Sequence, residues 1–251
     1  MDTTRLEKEF NRIKAMDFVP NVKQDSNDGG AGNTFEKWLG VRENNLKEPD
    51  FEGFEVKTKK DYLKSKSPIS LFTLKPSSPS DGDEYMRSHW GVPDSVYENV
   101  LCFRTSLYAH RWSVVYGKSK FKVDVDFKQE KIYLVKATLE EKIIDKTVYW
   151  TFADVHRGAK KLENLFLVDA ESKKIDGKDY FHFTGASVYL DYLGDENFIN
   201  LLAQGVIRYD NRLGVYGPST DKAGKPHNHG GGFRLDKKYV HKLYGKVIEL
   251  S

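Results

Sequence analysis

The sequence predicts an α+β protein with a mixed β-sheet that is flanked by helices. Segments with the apolar spacing of strands and of helices follow one another, but without the regular alternation of a βαβ protein. Helical patterns also open and close the chain, so we expect helices at both ends. The 251 residues are enough for one large domain or two small ones with a sizeable core.

The first third of the chain predicts two helices and two strands. Apolar residues recur every three or four positions near the N-terminus, which is typical of an amphipathic helix. The predicted elements are a helix over 3–16, a turn-rich linker over 21–33, a helix from Thr34 that ends at Gly40, and strands from Phe54 and over 69–76.

The remaining elements follow in an irregular order. The sequence predicts a short helix after Asp81 or Asp83, several strands over 97–150, a helix over 150–162, strands over 164–172 and 180–190, a helix that ends at Gly205, and a strand over 206–216. Residues 217–232 are rich in glycine and predict a long mobile loop before a strand at Phe233. Residues 236–250 are expected to be largely helical.

The overall composition narrows the class of protein. Hydrophobic residues make up 39% and charged residues 31%, as in an ordinary soluble protein. The net charge of +3 permits nucleic-acid binding but does not by itself indicate it. We expect neither a signal peptide nor a membrane span, because no apolar run is long enough. A single cysteine, Cys102, excludes an internal disulfide and fits a reducing cytoplasm.

The stretch "PDFEGFEVKTKK", residues 49–60, allows two interpretations. The alternation puts Glu55, Lys57 and Lys59 on one face of a strand, which is common in a solvated edge strand. The alternative is a site that hydrolyses phosphodiesters with a metal ion. Asp50 and Glu55, with the carbonyl of Val56, offer the hard oxygen ligands that Mg²⁺ prefers.

Two further residues are candidates for the same metal-dependent site. Lys57 projects on the same side as Glu55, where it could hold the attacking water or stabilise the phosphoryl charge. Glu36 lies off the apolar face of the second predicted helix. It is either an ordinary surface glutamate or a further acid of the same site.

A basic, glycine-rich hairpin near the C-terminus is the third candidate region. Asp210 and Arg212 share a strand face, and Arg234 begins the returning strand. The loop between these strands carries Lys222, Lys225, His227 and His229. Arginine pairs with guanine and aspartate accepts a hydrogen bond from cytosine, so such a hairpin could read a G·C pair.

The charged residues of the hairpin and of one strand also allow other interpretations. The basic hairpin could be a surface loop with fortuitous charges, or His227 and His229 could bind a metal, although no other histidine or cysteine lies near them in the sequence. Asp124 and Asp126 resemble a metal-binding pair, but their spacing fits the outer face of an amphipathic strand.

Read together, these stretches resemble the MvaI/BcnI group of restriction endonucleases, relatives of the mismatch-repair nicking enzyme MutH. The resemblance lies in "GNTFEKWLG", "PDFEGFEVKT", "LFTLKPSSP", "VYWTF", "AESK", "DNRLGVY" and "KPHNHGGGFRL", which occur in the family's order over nearly the whole chain. The middle region and the "HNHG" element are more similar to the MvaI side of the family.

The resemblance implies a PD-(D/E)xK nuclease fold with two lobes around a DNA cleft. The motif would be Pro49, Asp50, Glu55, Val56 and Lys57, with Glu36 as the helix acid of the active site. The family uses Mg²⁺, for which Mn²⁺ substitutes. We expect the catalytic lobe over 1–95 with parts of 96–160, and the DNA-recognition lobe over 160–251.

The resemblance also implies how the enzyme meets DNA. It assigns base reading to Asp210, Arg212, His227, His229 and Arg234. Candidate contacts to the DNA backbone are Lys59, Lys60, Lys222 and Lys225, with Lys64, Lys66 and Lys75 as generic ones. Family members act as monomers on a short pseudopalindrome, here expected to be CCWGG-like, and are accompanied by a cognate methyltransferase. A strand-nicking enzyme and a DNA-binding protein without catalysis are the alternatives.

Overall fold

The computed structural model describes residues 3–23, 29–41, 49–61 and 67–250. The α-helices are α1 (Thr4–Lys14), α2 (Gly30–Leu39), α3 (Gly82–Trp90), α4 (Phe152–Ala159) and α5 (Gly194–Ala203), and short 3₁₀ helices span Lys160–Leu162 and Lys237–Leu243. No helix in these described ranges is both long and apolar enough to cross a membrane. Lys64 and Lys66 lie outside the described residues.

More of the described residues lie in strands than in helices. The strands are β1 (Val19–Pro20), β2 (Glu55–Lys60), β3 (Ile69–Thr73), β4 (Val92–Pro93), β5 (Leu101–Leu107), β6 (Ser113–Val115), β7 (Ser119–Asp126), β8 (Lys131–Ala137), β9 (Ile143–Asp145), β10 (Tyr149–Thr151), β11 (Leu165–Ile175), β12 (Lys178–Tyr192), β13 (Arg208–Val215), β14 (Pro226–Asn228), β15 (Gly232–Leu235) and β16 (Tyr244–Leu250). Helices and strands mix without βαβ regularity, so the predicted α+β class is confirmed.

The chain divides into two compact units whose bounds differ from the expected lobes. Unit 1 contains 1–69, 160–193 and 237–251, and unit 2 contains 70–159 and 194–236. The difference arises because β11, β12 and β16 pair into the same sheet as β2, which draws late segments of the chain into the N-terminal unit. Which unit cuts DNA and which reads it stays a prediction.

Unit 1 is a mixed sheet with two helices packed on it. The strand order is β1-β12-β11-β2, and β16 also pairs with β12. β2 runs parallel to β11, with Glu55 opposite Leu165, whereas the other pairs are antiparallel. The spacing of Leu6, Phe10 and Ile13 on α1 buries one helix face in the core with Phe35 of α2, as the sequence predicts.

Unit 2 contains two sheets and the helices α3, α4 and α5. One sheet has the order β10-β8-β7-β6 with β9 on β8, and the other has the order β3-β15-β13-β5-β4 with β14 on β13. Aromatic rings fill its core: Trp150 lies beside Tyr209 with ring centroids 4.5 Å apart, and Phe233 lies 5.9 Å from Trp150. This packing fixes β13 and β15, the strands that carry the predicted base readers.

Two segments are more regular than the sequence predicts. α2 begins at Gly30 rather than near Thr34, and the Thr34 hydroxyl donates to the Gly30 carbonyl within the helix (2.7 Å) instead of capping it. The expected loop over 217–232 contains β14, which pairs antiparallel with β13: Leu213 lies opposite Asn228 and Gly214 opposite His227. The loop is therefore shorter than predicted.

The prediction of a helical C-terminus is wrong. Residues Lys237–Leu243 form a 3₁₀ helix, and Tyr244–Leu250 form β16. β16 pairs antiparallel with β12, Val247 lying opposite Tyr189. The pairing with an existing strand satisfies backbone groups that a short terminal helix would leave unpaired, and it overrides the weak helical pattern of the sequence.

Candidate functional site

Glu55, the first residue of β2, is a buried acid. It is 1% exposed. Its Oε1 accepts a hydrogen bond from the Lys57 ammonium and lies 2.7 Å from Nζ of Lys161. Its Oε2 is also buried and has no hydrogen-bond partner within the described ranges. β2 does lie at the edge of its sheet, but the interpretation as a solvated strand is wrong for Glu55.

Asp50 is held against the backbone of the same strand. Its Oδ2 accepts a hydrogen bond from the Val56 amide at 2.9 Å. This bond places the Asp50 carboxylate beside the peptide that joins Glu55 to Val56, although the two acids are not neighbours in the sequence. The structure thus places Asp50 against the Val56 amide and Lys57 against Glu55, and a metal site shared by these residues stays a prediction.

Lys161 is a member of this cluster that the sequence does not indicate. It lies in the 3₁₀ helix that precedes β11, far from β2 in the chain. The Tyr244 hydroxyl donates to the neighbouring Leu162 carbonyl at 2.7 Å and anchors this turn. Burial raises the pKa of Tyr244, so its hydroxyl stays protonated as a donor. Only the parallel pairing of β2 with β11 reveals Lys161, and no local sequence signal does.

The arrangement of charge explains how Glu55 tolerates burial. A buried carboxylate is costly unless cations or hydrogen bonds compensate it. The ammonium groups of Lys57 and Lys161 both approach the same oxygen, Oε1. The second oxygen, Oε2, has no donor among the described residues, so it is available as a ligand for a cation.

The oxygen donors at this site fit a hard divalent cation. No group of three or more His, Cys, Asp or Glu side chains in the described part of the chain is placed to hold a metal. The donor set that the sequence predicts is instead two carboxylates, Asp50 and Glu55, with the Val56 carbonyl as the third oxygen. Mg²⁺ commonly takes one or two carboxylates and keeps water for its other positions. The unpaired Oε2 of Glu55 is the observation that matches this chemistry.

Glu36 and the other lysines of this region are less closely tied to the cluster. α2, which carries Glu36, packs against β2, and Glu36 lines a surface pocket with Asn33 and Lys37. Lys59 is only 5% exposed, and its ammonium donates to the Ser67 carbonyl at 2.6 Å, so it is not placed on the surface as a backbone contact requires. Lys60 is half-buried. The part that Glu36 plays stays a prediction.

In unit 2, β13 presents a face of alternating charge. Asp210 lies between two arginines, with Arg208 Nε 3.1 Å and Arg234 Nε 3.6 Å from its carboxylate. Arg208 is directly opposite Arg234 on β15. Arg212 lies on the same face as Asp210 by the alternation of a strand, and Arg104 of β5 is its cross-strand neighbour.

Arg208 and Arg104 are two basic residues that lie beside the predicted base readers but are not among them. Alternation in "RYDNR" could have indicated Arg208, because it is two residues before Asp210. Arg104 required the register of β5 against β13, which the sequence does not show. Burial lowers the pKa of Arg234, and Arg212 adds to this shift. Arg234 Nε has no hydrogen-bond partner among the residues that the structure describes.

The two histidines of the hairpin form a small aromatic stack. The His227 ring lies on Tyr216 with centroids 4.0 Å apart and a tilt of 21°, and the His229 ring meets His227 edge-on at 4.3 Å. Burial lowers the pKa of His227, and His229 and Lys222 add to the shift. His227 is therefore neutral at pH 7, and its ring nitrogens suit hydrogen bonding to a base edge more than to a phosphate.

The remaining predicted residues have surface or structural roles. Lys75, Lys222 and Lys225 are exposed, as a contact to DNA phosphates requires. Asp124 pairs with Lys146 at 2.8 Å, and Asp126 accepts hydrogen bonds from backbone amides of the following turn. These contacts fit the structural interpretation of both aspartates.

The comparison with known families decides what kind of protein this is. The model of the MvaI/BcnI restriction endonuclease family matches residues 7–244. The chain belongs to the MvaI/BcnI restriction endonuclease family. None of the curated protein sequences matches it.

Two solved structures are similar to this family member over its whole length. One is described as the restriction endonuclease MvaI–cognate DNA substrate complex; it is 27% identical, covers 100% of both chains and has a TM-score of 0.88. The other is restriction endonuclease MvaI in the absence of DNA, which is 28% identical, covers 100% of this chain and 99% of that one, and has a TM-score of 0.60.

These matches confirm the family, the fold class and the enzyme class that the sequence predicts. The fold of this MvaI/BcnI family member is of the PD-(D/E)xK type. The protein is a Type II restriction endonuclease, a site-specific deoxyribonuclease that binds DNA. Family members of this kind use a divalent metal.

Proposed function

We propose that this restriction endonuclease uses Mg²⁺, or Mn²⁺ in its place, to cleave both strands of DNA at a short CCWGG-like pseudopalindrome. Hydrolysis takes place at β2. The DNA sequence is read by the basic face of β13 and β15 together with the histidine hairpin, the segment that carries His227 and His229. The observation that carries the proposal is the cluster around Glu55: a buried carboxylate, with one oxygen on two lysines and the other unpaired among the described residues.

The cluster supplies the groups that phosphodiester hydrolysis requires. Asp50 and Glu55, with the Val56 carbonyl, hold the metal ion. When bound, the ion neutralises charge at the scissile phosphate and lowers the pKa of an attacking water. The hydrogen bond from the Val56 amide fixes the Asp50 carboxylate beside the Glu55–Val56 peptide, so the ligand set is organised before DNA arrives.

The lysines provide positive charge where the reaction develops negative charge. The Lys57 ammonium lies on Glu55 Oε1, where it orients the attacking water or stabilises the phosphoryl oxygens. Lys161 shares Oε1 and holds the carboxylate in place from the side of β11. Glu36, on the helix packed against β2, is the further acid of the proposed site.

Base reading is assigned to the charged face of unit 2. Arg212 and Arg234 suit bidentate bonds to guanine O6 and N7, and Asp210 accepts from cytosine N4. His227, neutral at pH 7, and His229 contact further base edges from the hairpin. Lys222 and Lys225, which are exposed, contact the phosphate backbone, so binding weakens steeply with added salt.

The oligomeric state of the enzyme, its location and the order of strand cleavage belong to the same proposal. The enzyme acts as a monomer in the cytoplasm, cutting one strand and then the other. A methyltransferase of the same system protects the host sites. The alternative is an enzyme that only nicks, and the topology of the product distinguishes the two.

Incubation of the protein with an unmethylated plasmid that contains all five-base sites tests the proposal. We expect linear DNA when Mg²⁺ or Mn²⁺ is present, none when EDTA is added, and cut ends that share a CCWGG-like sequence. Open-circle DNA that never becomes linear at enzyme excess would make the protein a nicking enzyme. Cut ends that share a different sequence would refute the CCWGG-like site while leaving the nuclease intact.

A further inference from the structure

Asn228, between the two histidines of the hairpin, uses both ends of its side chain. Its Nδ2 donates to Oδ2 of Asp83 at 2.8 Å. Its Oδ1 accepts hydrogen bonds from the backbone amides of Gly230 and Gly231, each at 2.9 Å. The side chain therefore bridges the first turn of α3 and the turn between β14 and β15.

These bonds hold the segment that presents the base readers. Gly230 adopts a φ of +83°, a conformation that suits glycine, and its amide is one of the two that Asn228 fixes. The Gly230 carbonyl accepts a hydrogen bond from Arg234 at 3.0 Å, and the His229 amide donates to the Arg212 carbonyl at 3.0 Å. Asn228 thus fixes a turn to which two proposed base readers are directly bonded.

Asp83 makes this arrangement dependent on charge. The other oxygen of its carboxylate, Oδ1, is buried and has no hydrogen-bond partner in the described ranges. A buried acceptor without a donor costs free energy. The bond that the other oxygen of Asp83 makes with Asn228 is a reason for the protein to keep a carboxylate here. The carboxylate accepts a donor from residue 228 but would repel a second carboxylate there.

We propose that Asp83 and Asn228 form a positioning pair that fixes the histidine hairpin and thereby sets the sequence discrimination of the enzyme. The inference rests on the proposed function, because it requires the hairpin to read bases. Neither residue has to touch DNA: Asn228 acts through the turn at Gly230 and Gly231, and Asp83 acts through Asn228.

Exchange of charge between the two positions tests the pair. Asn228→Asp places a carboxylate against Asp83, and we expect the ratio of kcat/KM on the mapped site to that on a site with one base pair exchanged to fall roughly tenfold or more. Asp83→Asn keeps an acceptor and should change the ratio by less than about threefold. The double variant swaps the two side chains, so the amide now on α3 donates to the carboxylate now on the hairpin. That carboxylate still accepts from the two glycine amides, and most of the ratio should be recovered.

The controls separate positioning from loss of folding. Asp221→Asn removes an exposed acid of the neighbouring loop and should leave the ratio unchanged. If Asn228→Asp does not fold, Asn228→Ala removes the same bonds without adding charge and should also lower the ratio. Hydrogen exchange of the Gly230 and Gly231 amides gives a readout without DNA: both should exchange faster in Asn228→Ala.

The outcomes also separate this inference from the proposed function. A wild-type enzyme that cuts all sequences equally would refute base reading itself. A wild-type enzyme that discriminates, with an unchanged ratio in Asn228→Asp and Asn228→Ala, would refute only the positioning pair. Failure of the double variant to improve on Asn228→Asp would refute the charge pairing. Unchanged exchange of the glycine amides in Asn228→Ala would refute the hold of Asn228 on the turn.

Discussion

The cluster on β2 and the charged face of β13 each pair one acid with two basic side chains, but they leave opposite kinds of group without a partner. On β2, one carboxylate that is 1% exposed meets two lysines and retains an oxygen without a partner in the described chain. On β13, Asp210 meets two arginines, and it is Arg234 Nε that lacks a hydrogen-bond partner among the described residues. The first region thus suits a cation, and the second suits a hydrogen-bond acceptor, as the proposed metal and base contacts require.

This difference matches the proposed separation of chemistry on β2 from recognition on β13. Burial around Glu55 strengthens electrostatic interactions and fixes the ligands before the reaction. On the face of β13, Arg208 and Arg234 are instead both held against the Asp210 carboxylate. Changes at β2 should therefore alter rate, whereas changes on β13 and its hairpin should alter the choice of sequence.

The largest effect should follow from Glu55→Gln, which keeps the size of the side chain but removes its charge. We expect cleavage to fall by at least about 100-fold, because a proposed metal ligand and the partner of two lysines are both lost. Single-turnover cleavage at saturating DNA measures the rate. Glu171→Gln, an exposed acid on β11, is the control and should cleave normally. Wild-type activity in Glu55→Gln would contradict the placement of the site.

Replacement of Lys161 tests the residue that the sequence did not reveal. Lys161→Met should lower kcat by roughly 10- to 100-fold with KM nearly unchanged, because it supports Glu55 without a proposed DNA contact. Lys160→Met changes the exposed neighbouring lysine and serves as the matched control. A rise in KM with unchanged kcat would instead make Lys161 a DNA-binding residue.

In the β13 region, Arg212→Ala and Arg234→Ala should relax the discrimination between DNA sequences. Loss of a bidentate contact to guanine costs about 1–3 kcal/mol of selectivity at the contacted base pair. Binding to duplexes with single base-pair exchanges measures the change, and Arg157→Ala, an exposed arginine of unit 2, is the control. An equal loss on every duplex would show that these arginines hold phosphates.

The smallest effect concerns the protonation of His227. Burial lowers its pKa in the folded protein below the ordinary 6.5, so NMR titration should give a midpoint under that value. As the pH falls below about 6.5 the unfolded chain binds the proton first, and the folded state loses stability. His227→Gln should show a smaller decrease of stability in this range. A midpoint above 6.5 would contradict the neutral histidine at pH 7.

The local geometry of the candidate site can be predicted from the sequence. Asp50, Glu55 and Lys57 lie close together in one short stretch, and the strand period alone places Glu55 and Lys57 on one face. The order of the motifs over the whole chain also indicated the family. Such signals are available because they depend on contacts that are close in sequence.

Features that depend on pairing between distant segments could not be predicted. Lys161 approaches Glu55 only because β11 pairs with β2, and Asp83 meets Asn228 from a helix 145 residues away. The C-terminal strand was predicted as a helix because its partner β12 is not visible in the local pattern. The burial of Lys59 likewise depends on Ser67, beyond the strand that carries it.

Asp50→Asn gives the most direct test of the claim that β2 is the metal-dependent cutting site. The amide oxygen of asparagine still accepts the hydrogen bond from the Val56 amide, so the local fold is kept while a metal ligand loses its charge. One titration with the mapped duplex measures cleavage and specific binding over a range of Mg²⁺ concentrations. We expect cleavage to be lost and specific binding to be retained. Cleavage at the wild-type rate with the same Mg²⁺ dependence would contradict the claim.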